Sequence, residues 1–278
     1  MSHHRLAVLL IVLSGCAAGP GTAPQPDTSP RSLAIDGPIT PLAAPVTVTM
    51  GPMGHLERLC STKTEEAMVG TSRVPPARSI TCSSMATGTE ADGSERIALR
   101  VLAGPLHGLT MHAVRDANGV IRSQGVSGPP VARLTAEQRT MLDEMIGQFL
   151  GAIPPFRPGQ YSQGQVVTFE TQPLPTATGL RTGAQQSTCT VTGRGEISAR
   201  EVLALSCDTT GSIDSSAHGA TVWLRGEVRT GTHLLIETGT GATRRGRSVT
   251  ALVGTATDPA RGTTIPVTVT VTLAVSID

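Results

Sequence analysis

The chain has 278 residues, and 22 Lys and Arg against 21 Asp and Glu leave a formal net charge of +1. That balance gives no electrostatic reason to expect a nucleic-acid partner, whose phosphates draw a clustered excess of basic residues. One Trp, one Tyr and three Phe are too few for the stacking platforms of single-stranded nucleic acid or sugar sites, or for the two aromatic girdles of an outer-membrane barrel.

At the N-terminus His3, His4 and Arg5 precede the apolar run from Leu6 to Leu13, followed by the small residues Ser14 and Gly15. This is the layout of a signal peptide. The run is far shorter than the roughly 20 residues of a permanent spanning helix. No later segment approaches that length without charges or prolines, so the mature chain is expected to have no spanning segment. The quartet Leu13-Ser14-Gly15-Cys16 resembles the lipobox of bacterial lipoproteins. That resemblance implies cleavage before Cys16 and lipid attachment to it, with 1–15 as the signal peptide. A single acyl chain binds a membrane only marginally, whereas two or three, at about 0.8 kcal/mol per buried methylene, anchor stably. Within the same resemblance Ala17, in place of Asp, implies the periplasmic face of the outer membrane. The competing reading is an ordinary secretory signal cut near Ala17-Ala18, with Cys16 incidental.

From Cys16 to Pro45 the chain contains Pro20, Pro24, Pro26, Pro30, Pro38, Pro41 and Pro45 among small and polar residues. Residues 16–45 therefore read as an extended tether, at about 3.1 Å per residue. A first β-rich half is expected over 46–153 and a second over 154–278. Beyond Cys16 the cysteines are Cys60, Cys82, Cys189 and Cys207, an even number suited to an oxidising compartment. Two disulfides are expected. The local pairing, Cys60 with Cys82 and Cys189 with Cys207, closes loops of roughly 20 residues and stabilises by about 3 kcal/mol each in the chain-entropy model. Neither a C-x-x-C pair nor a Cys/His spacing typical of zinc is present, so no metal site is expected.

Period-two alternation dominates the rest. Ile97, Leu99, Val101 and Ala103 share one face of a segment whose other face holds Arg96 and Arg100. Val222, Leu224 and Val228 alternate with Trp223, Arg225, Glu227 and Arg229. Val267, Val269, Val271, Leu273, Val275 and Ile277 alternate with Thr268, Thr270, Thr272, Ala274 and Ser276. Hairpin turns are expected at Asn118-Gly119 and at Gly239-Thr240-Gly241. One amphipathic helix is expected near 134–153, opened by a Thr135/Gln138 capping box, carrying Met141, Leu142, Met145, Ile146 and Phe149 at helical spacing and stopped by Pro154-Pro155. Such a stripe is more often core than ligand groove. Met141, Met145 and Phe149 are nevertheless the candidate apolar-ligand contacts if the sheet beneath them is open.

Cys60, Cys82 and Gly119 have counterparts in Cys189, Cys207 and Gly241 at nearly one offset, which suggests an internal duplication. The fold class expected is mainly β, with antiparallel strands in two similar halves or one curved half-barrel. A strand-rich half, an amphipathic helix, the stretch Pro155-Phe156-Arg157-Pro158-Gly159-Gln160-Tyr161-Ser162-Gln163-Gly164 and a second strand-rich half resemble a family of uncharacterised bacterial lipoproteins of duplicated β-architecture. More distantly, the layout is similar to half-barrel lipoprotein carriers, which implies a curved antiparallel sheet around an apolar cavity. Where members of the former family commonly carry a tryptophan soon after the glycine, this chain has Val166 and Val167.

No G-x-S-x-G elbow, H-E-x-x-H pair or phosphate-binding loop occurs. His107 reads as a turn residue and His112 as solvent-facing. Ser212, Asp214 and His218 read as loop residues rather than a triad, which is assembled from separated elements. Arg244, Arg245 and Arg247 read as a solvated turn. The expectation is accordingly a non-enzymatic, cofactor-free binding module for an apolar ligand such as lipid or another lipoprotein. The alternative is a structural or assembly component of the envelope that binds protein partners.

Overall fold

The computed structural model describes residues 36–53, 56–103, 107–118, 120–136, 139, 157–171, 181–182, 185–214 and 223–277. Cys16 and the expected signal segment lie outside the described residues, as do Met141, Met145 and Phe149 of the expected helix.

The first strands are β1 (Asp36–Thr40), β2 (Val46–Val48), β3 (Leu56–Val69), β4 (Ser72–Thr89), β5 (Glu95–Ala103), β6 (Thr110–Arg115) and β7 (Ile121–Ser127). A single turn of helix, α1 (Pro129–Ala132), follows. Then come β8 (Gly159–Tyr161), β9 (Val166–Thr171), β10 (Arg181–Thr182), β11 (Gln185–Ile197), β12 (Arg200–Asp214), β13 (Trp223–Glu237), β14 (Thr243–Asp258) and β15 (Thr263–Ile277). The alternating segments read from the sequence are β5, β13 and β15. The turn at Gly239-Thr240-Gly241 joins β13 to β14, and Asp116 shapes the β6–β7 turn by accepting from the backbone of Asn118 and Val120 at 2.9 Å each.

The fold is one open antiparallel sheet. β3 to β7 form one meander and β11 to β15 another, and β15 pairs with β3 to join the two; with β1, β9 and β10 added the sheet has thirteen strands. β1 and β9 lie against β11, β10 pairs with β12, and β2 and β8 form a separate two-stranded ribbon. Each meander carries a disulfide between its first two strands, Cys60–Cys82 and Cys189–Cys207, between directly opposed residues. This is the local pairing. Because β11 and β3 run in opposite directions within the common sheet, the two staples stand on opposite faces.

The register defines those faces, since directly opposed residues of antiparallel neighbours point to the same side. Cys207 opposes Thr232, Thr232 opposes Ser248, Ser248 opposes Leu273 and Leu273 opposes Lys63. One continuous face thus runs across β12, β13, β14, β15 and β3. It is concave. From β14 to β6 the sheet path takes five inter-strand steps, which at about 4.8 Å each make roughly 24 Å. Yet Arg115 of β6 donates from Nη1 to the Thr240 carbonyl of the β13–β14 turn at 2.6 Å. Only a sheet curled toward this face brings those ends together.

At the β11–β13 end Val191, Leu203, Leu205 and Ile236 are buried beneath Leu42, Val46, Val48 and Tyr161. At the other end Met85, Ile97 and Ala113 pack with Met53, Ile121 and Ile277. Val131 of α1 closes a smaller cluster with Val101 and Leu109. The segment from Leu42 to Met53 therefore straps the concave face from one end of the sheet toward the other.

The tether reading of 16–45 extends too far. β1 is already a strand on β11, and Leu42 is buried in the core. Its prolines misled because Pro38 lies in a marginal strand and Pro41 in a loop, where the missing N–H costs little. Pro75 and Pro76 lie within β4 for a related reason, because β5 pairs with β4 only from Cys82 onward.

Candidate functional site

Two features of the concave face stand out, an apolar strip across its centre and a buried polar latch at one end. The strip is carried by β15, whose Val/Thr alternation suits a pleated strand and sends every valine to one side. Val269 opposes Leu252 and Ala67, Val271 opposes Thr250 and Glu65, and Leu273 opposes Ser248 and Lys63. Leu252 in turn opposes Val228. Val228, Leu252, Val269, Val271, Leu273 and Val275 are all only partly buried, unlike the covered clusters at either end of the sheet. Lys63 and Glu65 form an ion pair on this same face, with side chains 45% and 44% exposed.

The latch is built from residues far apart in sequence. Arg115 Nη2 lies 2.7 Å from Glu95 Oε2, with only 5% and 10% of the two side chains exposed. Glu95 Oε1 accepts from the Met53 backbone at 2.8 Å, and Arg115 also donates to the Gly51 carbonyl at 2.8 Å. The strap is tied to the β13–β14 turn as well, through Thr49 N to Thr238 O at 2.7 Å and Gly51 N to Gly239 O at 3.1 Å. Within that turn Thr240 Oγ1 donates to Glu237 at 3.1 Å. Glu237 also accepts from Arg244 Nε at 2.6 Å and from Arg200 Nη1 at 2.9 Å. Burial pushes the Glu237 pKa up, but the bonds and charges of Arg244 and Arg200 outweigh it and hold the carboxyl below its ordinary value.

Arg244 is thus a buried partner at an irregularity of β14, where the sequence suggested a solvated turn, and Arg245 and Arg247 also lie in that strand. His107 lies in a turn. His112 lies on β6 with its Nε2 2.8 Å from Ser127 Oγ. Ser212 and Asp214 lie in β12 rather than a loop, Asp214 pairing with Arg225 Nε at 3.2 Å, while His218 is outside the described residues. Among the described residues there is no group of three or more His, Cys, Asp or Glu placed to hold a metal, and no helix long and apolar enough to cross a membrane.

Sequence reasoning missed the latch, although strand parity carried a signal for half of it. Glu95 is two residues before Ile97 and Arg115 two after Ala113, so both continue apolar faces. A charge with core parity requires a buried partner. Nothing local identifies which partner.

No family model matches the chain, and no curated protein does. Among solved structures, a DUF1329 family protein from Desulfovibrio piger is similar at 10% identity, over 80% of this chain and 86% of that one, with a TM-score of 0.16. A protein of unknown function from the DUF3598 family of Nostoc punctiforme is similar at 9% identity, over 78% of this chain and 95% of that one, with a TM-score of 0.12. Likenesses at this level carry no argument about what this chain does.

Proposed function

We propose that this chain is an envelope lipoprotein, anchored through Cys16 at the periplasmic face of the outer membrane, whose concave sheet face binds the apolar part of a lipid or of another lipoprotein without catalysing a reaction. The observation that carries this reading is the strip of partly exposed Val228, Leu252, Val269, Val271, Leu273 and Val275 between two covered ends of a curved sheet. An acyl chain laid on it would remove apolar surface from water at about 25 cal/mol per Å². The latch and the strap hold the curvature that makes the strip concave before any ligand arrives, so little ordering has to accompany binding. The lipobox resemblance supports the anchor, which would keep the strip within a tether's length of its lipid source.

The test is titration of a fluorescent acyl probe into the full-length protein. Val271→Asn on the concave face should weaken binding about tenfold, the loss of roughly 1.4 kcal/mol of apolar contact. Thr272→Asn, on the opposite face of the same strand, should leave it unchanged. No binding by the wild type, or equal effects of the two substitutions, overturns the reading. Mass spectrometry of the N-terminal peptide tests the anchor, and an unmodified N-terminus at Ala17 or beyond would remove it.

A further inference from the structure

We infer that the ligand of the concave strip is a zwitterionic phospholipid whose head is held by Lys63 and Glu65, an inference that rests on the apolar-site reading above. Along Leu224–Ile236 of β13, Gly246–Ala256 of β14, Ile265–Ile277 of β15 and Leu59–Val69 of β3, the register assigns every second residue to the concave face. Within those spans Lys63 and Glu65 are the only charged residues with that parity. Other charges of concave parity lie toward the strand ends. Glu95 and Arg115 belong to the latch, Arg194 pairs with Glu201, Glu196 lies exposed opposite Glu201 near the end of β11, and Asp258 accepts from the Ala260 and Arg261 backbone in its own turn.

Lys63 and Glu65 stand instead inside the strip. Leu273 and Ser79 flank Lys63 on the neighbouring strands, and Val271 and Ala77 flank Glu65. An acyl chain lying on Val271 and Leu273 would strip water from this ion pair, leaving each charge only the other as partner and its remaining donor or acceptor sites unmet. A purely anionic head would gain from Lys63 and be repelled by Glu65. An uncharged head would leave both charges poorly solvated. A head carrying a phosphate and an ammonium a few ångströms apart matches both, with the phosphate accepting from Lys63 Nζ and the ammonium donating to Glu65. That is the chemistry of a phosphatidylethanolamine.

Native mass spectrometry of the full-length protein, offered an equimolar mixture of phosphatidylethanolamine, phosphatidylglycerol and diacylglycerol of one chain composition, tests this. The wild type should prefer phosphatidylethanolamine over each of the others about three- to fivefold, the size of a solvent-accessible ion pair. Glu65→Gln should raise phosphatidylglycerol to parity by removing the repulsion. Lys63→Gln should bring phosphatidylethanolamine down to the level of diacylglycerol, whose binding stays as in the wild type. Both side chains are nearly half exposed, so circular dichroism and melting should be unchanged in either variant. Lipid binding without head selectivity, or selectivity indifferent to Lys63→Gln, overturns this inference and leaves the apolar site standing. Failure of all three lipids to bind the wild type overturns both.

Discussion

Arg115→Met removes the cation from the better buried end of the latch while keeping much of the side-chain volume. Glu95 would remain with 10% of its side chain exposed and no guanidinium beside it, and the Thr240 and Gly51 carbonyls would each lose a donor. Breaking a buried pair by removing one partner costs about 3–5 kcal/mol, mostly because the surviving charge is desolvated and uncompensated. For a folded region of this size that corresponds to a fall in melting temperature of roughly 6–20 °C. Urea denaturation with the disulfides kept oxidised is the assay. Arg73→Met serves as control, because Arg73 and Glu66 pair at 3.3 Å with 66% and 54% of their side chains exposed; its cost should stay below about 1 kcal/mol. The double variant Glu95→Leu/Arg115→Met should recover a large part of the loss, since it removes the stranded charge. A cost for Arg115→Met no larger than that of the control would refute the claim that this pair holds the curled ends of the sheet together.

Two further outcomes follow from the same region. Because the folded-state pKa of Glu237 lies below its unfolded value, its contribution is complete above about pH 4.3 and is lost as pH falls through the lowered folded value. Melting curves from pH 7 down to pH 2 should therefore show acid destabilisation that is weaker in Glu237→Gln, which in turn should be less stable than wild type at pH 7; parallel curves would contradict the assignment. Gly241→Ala should destabilise by about 1–3 kcal/mol. Gly241 sits at φ +67°, and an added Cβ would lie near Met50 Sδ in the strap; an unchanged denaturation midpoint would show that the strap is not seated against this turn.

Much of the local architecture was legible because it is written at short range. Alternation over Arg96–Ala103 and Val267–Ile277 announced strands that had to be half-buried. The chemistry of Gly239-Thr240-Gly241 announced a hairpin, and the closeness of Cys60 to Cys82 and of Cys189 to Cys207 favoured pairing across adjacent strands. Composition misled where context relaxed the usual rule. The prolines of residues 36–45 looked like a tether because the sequence does not show which strand segments pair on one side only. β4 continues through Pro75 and Pro76 to span Ser72–Thr89, a stretch for which the sequence offered no alternation to read.

What the sequence determined by itself was the β character, the turns, the local pairing of the cysteines and the parity of β5, β13 and β15, all properties of residues close together in the chain. Tertiary structure alone decided that β15 pairs with β3, some two hundred residues away, and therefore that Lys63 and Glu65 stand between Leu273, Val271, Ser79 and Ala77. It likewise decided which face is concave and that Arg115 meets Thr240. Such pairings depend on the register and curvature summed over many strands, each step too small to leave a local mark. A charge in a strand shows its parity in the sequence, but the partner it needs is selected only when the sheet curls.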